Sequence, residues 1–255
     1  MATPMRKALA GGRIFATTYG DPDQPRRVVA FPGWMHTVKD FDAILGGGLP
    51  TASAVAVDLP GFGGPNPEPP EPWGSADYAR WAAPLLEGDD LHPPVVLVGH
   101  SRGGVVALHL AASHPDRVAA LVLVAAPILK RAANAAKPRF AFRAAKALHR
   151  LGALSDARME AQRQRHGSAD YRAARGVMRD VLVKLTNESH EAQLTATACP
   201  IELVWGERDH DVPVEIAERA KQLRGDGVTL TVVPTGHNIP TEAPAAVRAA
   251  IERHL

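Results

Sequence analysis

The stretch from Pro94 to Leu110, PVVLVGHSRGGVVALHL, constrains this chain more than any other. Val95 to Val98 is a continuous apolar run, which predicts a strand buried on both faces of a parallel sheet. Val105 to Ala112 continues at good helical propensity. Between them lies Gly99-His100-Ser101-Arg102-Gly103, a G-x-S-x-G pattern with Gly104 behind it. A strand that turns straight into a helix through one serine forces that serine into a strained conformation. Glycines flank it because side chains there collide with the crowded strand and helix. The product is a hydroxyl held at the carboxyl edge of the sheet above a helix N-terminus, a candidate nucleophile. The competing reading is an ordinary capping serine in a glycine-rich turn.

The 255 residues suffice for one large α/β domain, or one carrying an inserted subdomain. Further strands are predicted at residues 12–19, 27–31, 54–58, 121–125, 201–205 and 228–233. Helices are predicted at 39–45, at 76–86 with Ser75 as N-cap, at 214–223 and at 240–254. A Pro-rich loop spans Pro65 to Pro72. Strands alternating with helices indicate a doubly wound, mostly parallel sheet. From 128 to 198 the strand signal stops, and Tyr171, Ala174, Met178, Val181 and Leu185 mark one apolar helical face. The expected organisation is a core of residues 1–127 and 199–255, with 128–198 inserted as a helical cap over the sheet's carboxyl edge. The segment 127–198 holds 14 Lys or Arg against 6 Asp or Glu. That charge reads as solvated helix faces, with long-range steering of an anionic acyl donor as the alternative.

Cys199, the single cysteine, excludes an internal disulfide and reads as a buried structural thiol. The N-terminus lacks the apolar core of a signal peptide, and no run is long enough to span a membrane. A soluble cytoplasmic protein is expected, with a small-molecule partner, no nucleic-acid partner and no membrane span. No P-loop and no Cys/His cluster at metal spacing is present, so neither a metal nor an organic cofactor is expected.

A serine hydroxyl needs a base, and the base needs a carboxylate that fixes its tautomer. Two loops after later strands offer them: Trp205 to Pro213, with Asp209 and Asp211, and Pro234 to Pro240, with His237. Among the 11 histidines, only His237 follows a terminal strand with glycine before it and a helix after it. His109 and His114 read as surface or helix residues, and His100 as a packing residue that points away from the hydroxyl. Lys39, His36 and Asn187 are candidates to line a pocket, with no role assigned.

With the elbow, Asp58-Leu59-Pro60-Gly61-Phe62-Gly63, the Gly206-to-Asp209 loop and Gly236-His237, the chain resembles the α/β-hydrolases over its whole length, in the serine-nucleophile, esterase-like branch. The resemblance implies the order Ser101 nucleophile, Asp209 acid and His237 base, and prefers Asp209 to Asp211. It implies an oxyanion hole from the backbone N–H groups of Arg102 and Trp34, although Pro32 stands where the commonest pattern has histidine. For the Arg102 side chain, folding back onto solvent and acidic neighbours is preferred to projection into the pocket. The implied reaction is hydrolysis of an ester, thioester or lactone of a small or medium acyl group through an acyl-serine. Acyl transfer or perhydrolysis, C–C or C–N hydrolysis with the same triad, and a non-catalytic ligand-binding role are the alternatives.

Overall fold

The computed structural model describes residues 4–130 and 169–255, together with Leu148, Leu151, Ser155 and Arg158. The rest of the segment expected as a cap lies outside the described residues. The strands are β1 (Met5–Leu9), β2 (Ile14–Tyr19), β3 (Arg26–Phe31), β4 (Ser53–Val57), β5 (Val95–His100), β6 (Val118–Val124), β7 (Ile201–Gly206) and β8 (Val228–Val233). They form one sheet in the order β1-β2-β4-β3-β5-β6-β7-β8. The first two ladders are antiparallel and the rest parallel, with β5 between β3 and β6.

The described helices are α1 (Asp42–Leu45), α2 (Ser75–Ala82), α3 (Pro84–Glu87), α4 (Arg102–Ser113), α5 (Ala169–Ala173), α6 (Gly176–Asn187), α7 (Glu191–Ala196), α8 (Val214–Arg224), α9 (Ile239–Glu242) and α10 (Pro244–Glu252). Alternation along the strands distributes them over both faces. Val95 and Leu97 join a core containing residues of α2, α4, α6 and α8, whereas Val96 and Val98 join one containing residues of α1, α9 and α10. Both faces of β5 are therefore dry, which explains why its sequence reads as unbroken apolar residues rather than as alternation.

Several expectations change. β1 was not foreseen: four of its five residues are exposed, so no apolar pattern marks it. The expected helix at 39–45 is a 3-10 turn over Val38–Phe41 followed by one turn of α1. Pro84 divides the expected 76–86 helix into α2 and α3, and Pro244 divides the last helix into α9 and α10. Each proline lacks the N–H that a continuous helix needs, so it opens a new helix instead.

Ser75 is not the N-cap of α2; Gly74 is, and its N–H donates to Asp77 Oδ2 at 2.7 Å. Ser75 instead donates its N–H and its hydroxyl to Glu188, at 3.1 and 2.6 Å to Oε2. A carboxylate more than a hundred residues away thus satisfies orphan donors at this helix start. The single amphipathic helix expected around Tyr171–Leu185 is broken between α5 and α6, while Ala174, Met178, Val181 and Leu185 are all buried in the first core. The Pro-rich loop is pinned by buried Asn66, whose side chain pairs with both backbone groups of Phe15 and donates to the Asp58 carbonyl.

Candidate active site

Ser101 stands between β5 and α4 at φ 49°, ψ −120°, a conformation costly for any residue with a side chain. Two contacts hold it there. Its N–H donates to Val124 of β6 at 2.8 Å, and its carbonyl accepts from Gly104 at 3.0 Å. The elbow closes only because its glycines lack side chains. A Cβ at Gly103 would lie 2.2 Å from the Phe31 carbonyl oxygen, and one at Gly99 would lie 2.3 Å from Gly104 Cα.

His237 lies in the loop after β8 and Asp209 in the loop after β7. His237 Nδ1–H donates to Asp209 Oδ2 at 2.7 Å, and Ser101 Oγ–H donates to His237 Nε2 at 3.0 Å. The acceptor-only carboxylate requires the proton on Nδ1, which leaves the Nε2 lone pair for the serine proton. Asp209 is buried, and its Oδ1 accepts the N–H groups of Asp211 and Val212, both at 2.8 Å. Asp211 is exposed and contributes this backbone donor; Pro213 holds the N-cap position of α8.

The loops that carry Asp209 and His237 also bond to each other. Arg208 N–H donates to Thr235 O at 3.0 Å, and Glu207 N–H to Val233 O at 2.8 Å. The buried Trp205 indole N–H ties the acid loop across itself, donating to Val212 O at 2.8 Å.

The loop after β3 lies against the serine: a Cβ on Gly33 would meet Ser101 Cβ at 3.2 Å. Buried Asp58 accepts the Val38 N–H at 2.8 Å and so anchors the far end of this loop; burial raises its carboxyl pKa. Trp34 is buried, its ring edge-on to Phe62 at 5.1 Å between centroids. Phe62 meets Tyr78, and Tyr78 meets Trp73, so aromatic packing links the Trp34 loop to α2.

The Arg102 side chain is partly buried and, among the described residues, forms no ion pair with an acid. Its guanidinium donates to Leu185 O at 2.9 Å and to Thr186 Oγ1 at 3.4 Å, in the last turn of α6. There it meets carbonyls at the negative end of the helix. Lys184 of α6 donates to Pro72 O and Asp77 Oδ2, and Glu188 takes the Ser75 donors. Met178 packs where a Cβ on Gly61 would lie 2.3 Å from its sulfur. Replacing Glu188 with Ala strands the Ser75 N–H and is expected to cost about 1–3 kcal/mol, read from urea unfolding at constant slope. A loss below a few tenths would deny this clasp any role in stability.

His100 is fully buried, and burial pushes its pKa down to about 3, so the ring is neutral. Its Nε2–H donates to the His237 carbonyl at 2.9 Å. Asn187 turns back onto its own helix at Val183 O. Cys199 is free and partly buried, its thiol pushed up to about 11 by desolvation.

His109, expected on a helix surface, is half-buried and meets His190 Nδ1 at 3.0 Å. Burial, then the neighbouring His109, Arg102 and Lys130, pushes His190 down to about 3, while Glu188 Oε2 lies 3.9 Å from its Nε2. The unfolded chain takes up this proton near 6.5, so below that pH the unfolded state binds more protons and stability falls. From pH 7 to pH 5 the loss through His190 is about 2 kcal/mol. Urea unfolding at both pH values should show a smaller acid loss in His190→Asn; an equal loss would exclude His190 as its source.

Comparison with known proteins places these features in context. Residues 28–250 match the model of a family described as "Alpha/beta hydrolase family". Lipase LipV of Mycobacterium tuberculosis is 42% identical over 115 residues, covering 42% of this chain and 39% of its own. The pimeloyl-[acyl-carrier protein] methyl ester esterase of Neisseria meningitidis serogroup B is 36% identical over 106 residues, covering 41% of this chain and 38% of its own. These matches span about two fifths of the length of the curated relatives. Among solved structures, a thioesterase domain from the curacin biosynthetic pathway superposes with a TM-score of 0.70 at 20% identity, over 98% of this chain and 99% of that one. At that identity the likeness shows the fold. No helix among the described residues is long and apolar enough to cross a membrane.

Proposed function

This chain belongs to the alpha/beta hydrolase family, and on that footing we propose that it is a serine esterase working through Ser101, His237 and Asp209. The observation that carries the reading is the continuous hydrogen-bond chain Ser101 Oγ to His237 Nε2, and His237 Nδ1 to Asp209 Oδ2, at 3.0 and 2.7 Å. As His237 Nε2 takes the hydroxyl proton, Ser101 Oγ forms a bond to the acyl carbon. Asp209 steadies the imidazolium that results. The carbonyl oxygen becomes an oxyanion bound by the N–H groups of Arg102 and Trp34, the first at the N-terminus of α4. Collapse expels the alcohol or thiol with the proton from His237 and leaves an acyl-serine. Water, activated by the same histidine, releases the acid and restores the hydroxyl.

The substrate class is a carboxylic ester, thioester or lactone of small or medium acyl size. The lipase and carrier-protein methyl ester esterase relatives support this range, with residues 128–198 proposed as the cap that shapes the acyl site. The test is hydrolysis of p-nitrophenyl esters from acetyl to palmitoyl, paired with fluorophosphonate labelling. Turnover with label on Ser101 is expected. A chain that hydrolyses no ester and takes no label overturns the proposal.

A further inference from the structure

Behind the serine, His36, Asp40 and His100 each offer one donor atom, all within 4.8 Å of one another. His36 precedes the 3-10 turn and Asp40 lies within it four residues on, the two joined from Nδ1 to Oδ2 at 2.5 Å. His100 arrives from the end of β5, its ring perpendicular to that of His36 at 5.5 Å between centroids.

The tautomer of His100 is dictated by its partner. A carbonyl only accepts, so the His237 oxygen holds the proton on Nε2, and Nδ1 presents a bare lone pair. That Nδ1 is buried and has no hydrogen-bond partner among the described residues. A buried acceptor left in this state is costly and calls for an explanation. Beside it, Gly33 supplies no side chain: a Cβ there would lie 3.0 Å from Nδ1. The His36 side chain is 35% exposed, so the cluster opens to solvent on that side while His100 closes the other.

We propose that His36, Asp40 and His100 bind a divalent transition-metal ion of the zinc type. Two imidazoles and one carboxylate form a donor set suited to such ions, with water completing the shell. Donors around a tetrahedral ion with bonds of about 2.0–2.2 Å stand about 3.3 Å apart, so the 2.5 Å His36–Asp40 pair must open while the wider separations close by up to about 1.5 Å. The half-exposed His36 is the side chain free to make that movement. The ion takes the place of the hydrogen bond between His36 and Asp40, and a neutral His36 ring then carries its proton on the nitrogen that does not face the ion. His36 and His100 are far apart in sequence, which is why no short ligand spacing announced them. Through His100 the ion lies one hydrogen bond from the backbone of His237, and it therefore loads the candidate active site from behind.

The test is titration of tag-free, chelator-treated protein with Co2+ and Zn2+, followed calorimetrically and by the visible absorption of cobalt. One equivalent is expected to bind. Asp40→Asn and His36→Gln should each weaken it about 10- to 100-fold, with metal-free thermal unfolding used to confirm that both variants are folded. Binding of Zn2+ should raise the unfolding temperature of the wild type but not that of His36→Gln. The proposal is overturned if no saturable binding occurs, or if both variants bind as tightly as the wild type. It is equally overturned if binding is lost only in Asp211→Asn, because Asp209, Asp211 and His237 form the other group of converging donors among the described residues.

Discussion

Ser101→Ala is expected to lower turnover of p-nitrophenyl esters by about 10^5- to 10^6-fold and to abolish fluorophosphonate labelling. The substitution removes the proposed nucleophilic oxygen while leaving Asp209 and His237 hydrogen-bonded to each other through Nδ1. The small activity that survives is what oriented water and the backbone donors supply on their own. Stability should hardly move. Ser101 is buried, but among the described residues its hydroxyl bonds only to a histidine that is 18% exposed and can turn to water. Its strained backbone, at φ 49°, accommodates Ala no worse than Ser. Loss of turnover with an unchanged unfolding midpoint therefore separates a chemical role from a structural one. If most of the activity persisted in this variant, Ser101 would not be the nucleophile.

Gly103→Ala is expected to cost about 3 kcal/mol or more, at or beyond the upper end of what overpacking usually does. The added methyl would lie 2.2 Å from the Phe31 carbonyl oxygen and 2.4 Å from that of Pro32. Both are backbone atoms at the end of a central strand, so no side-chain rotation relieves the contact. Either α4 withdraws from β3 or the loop carrying Gly33 and Trp34 shifts against Ser101. Activity should thus fall further than the unfolded fraction accounts for. Gly47→Ala is the matched control, since a Cβ there meets only the tip of Arg248 at 3.7 Å and should change stability little. Denaturant midpoints measure both, and equal midpoints for the two variants would show that the elbow tolerates the methyl.

What was legible in the sequence follows from what was local. The doubly wound sheet is written in short apolar runs such as Val95–Val98 and Leu121–Val124, each bounded by turns, because both sheet faces are covered. Ser101, Asp209 and His237 could be nominated because each follows its strand within a recognisable loop. β1 stayed hidden because an exposed edge strand needs no apolar alternation. The fate of Arg102 was hidden for another reason: its partner is a main-chain carbonyl of α6, and every residue has one. Asn66 and Glu188 look like ordinary polar surface residues until the chain folds and brings buried or orphaned backbone groups to them. The His36, Asp40 and His100 cluster likewise exists only in three dimensions. Pro84 and Pro244 break helices that apolar periodicity alone would run through, because each lacks the N–H of a continuing turn.

The backbone ladder between the acid and base loops makes Asp209 and His237 parts of a single unit, a prefabricated dyad that stands or falls together. Ser101 belongs to a different unit, the elbow of β5 and α4, braced by Val124 on β6. Near the serine the two units are joined by the 3.0 Å bond from Ser101 to His237 and by the His100 Nε2–H bond to the His237 carbonyl at 2.9 Å. Damage to the sheet between β6 and β7 therefore separates Ser101 from His237 while leaving His237 paired with Asp209. A hydrolase built this way loses its alignment at one seam, and an inactive variant can still hold an intact His–Asp pair.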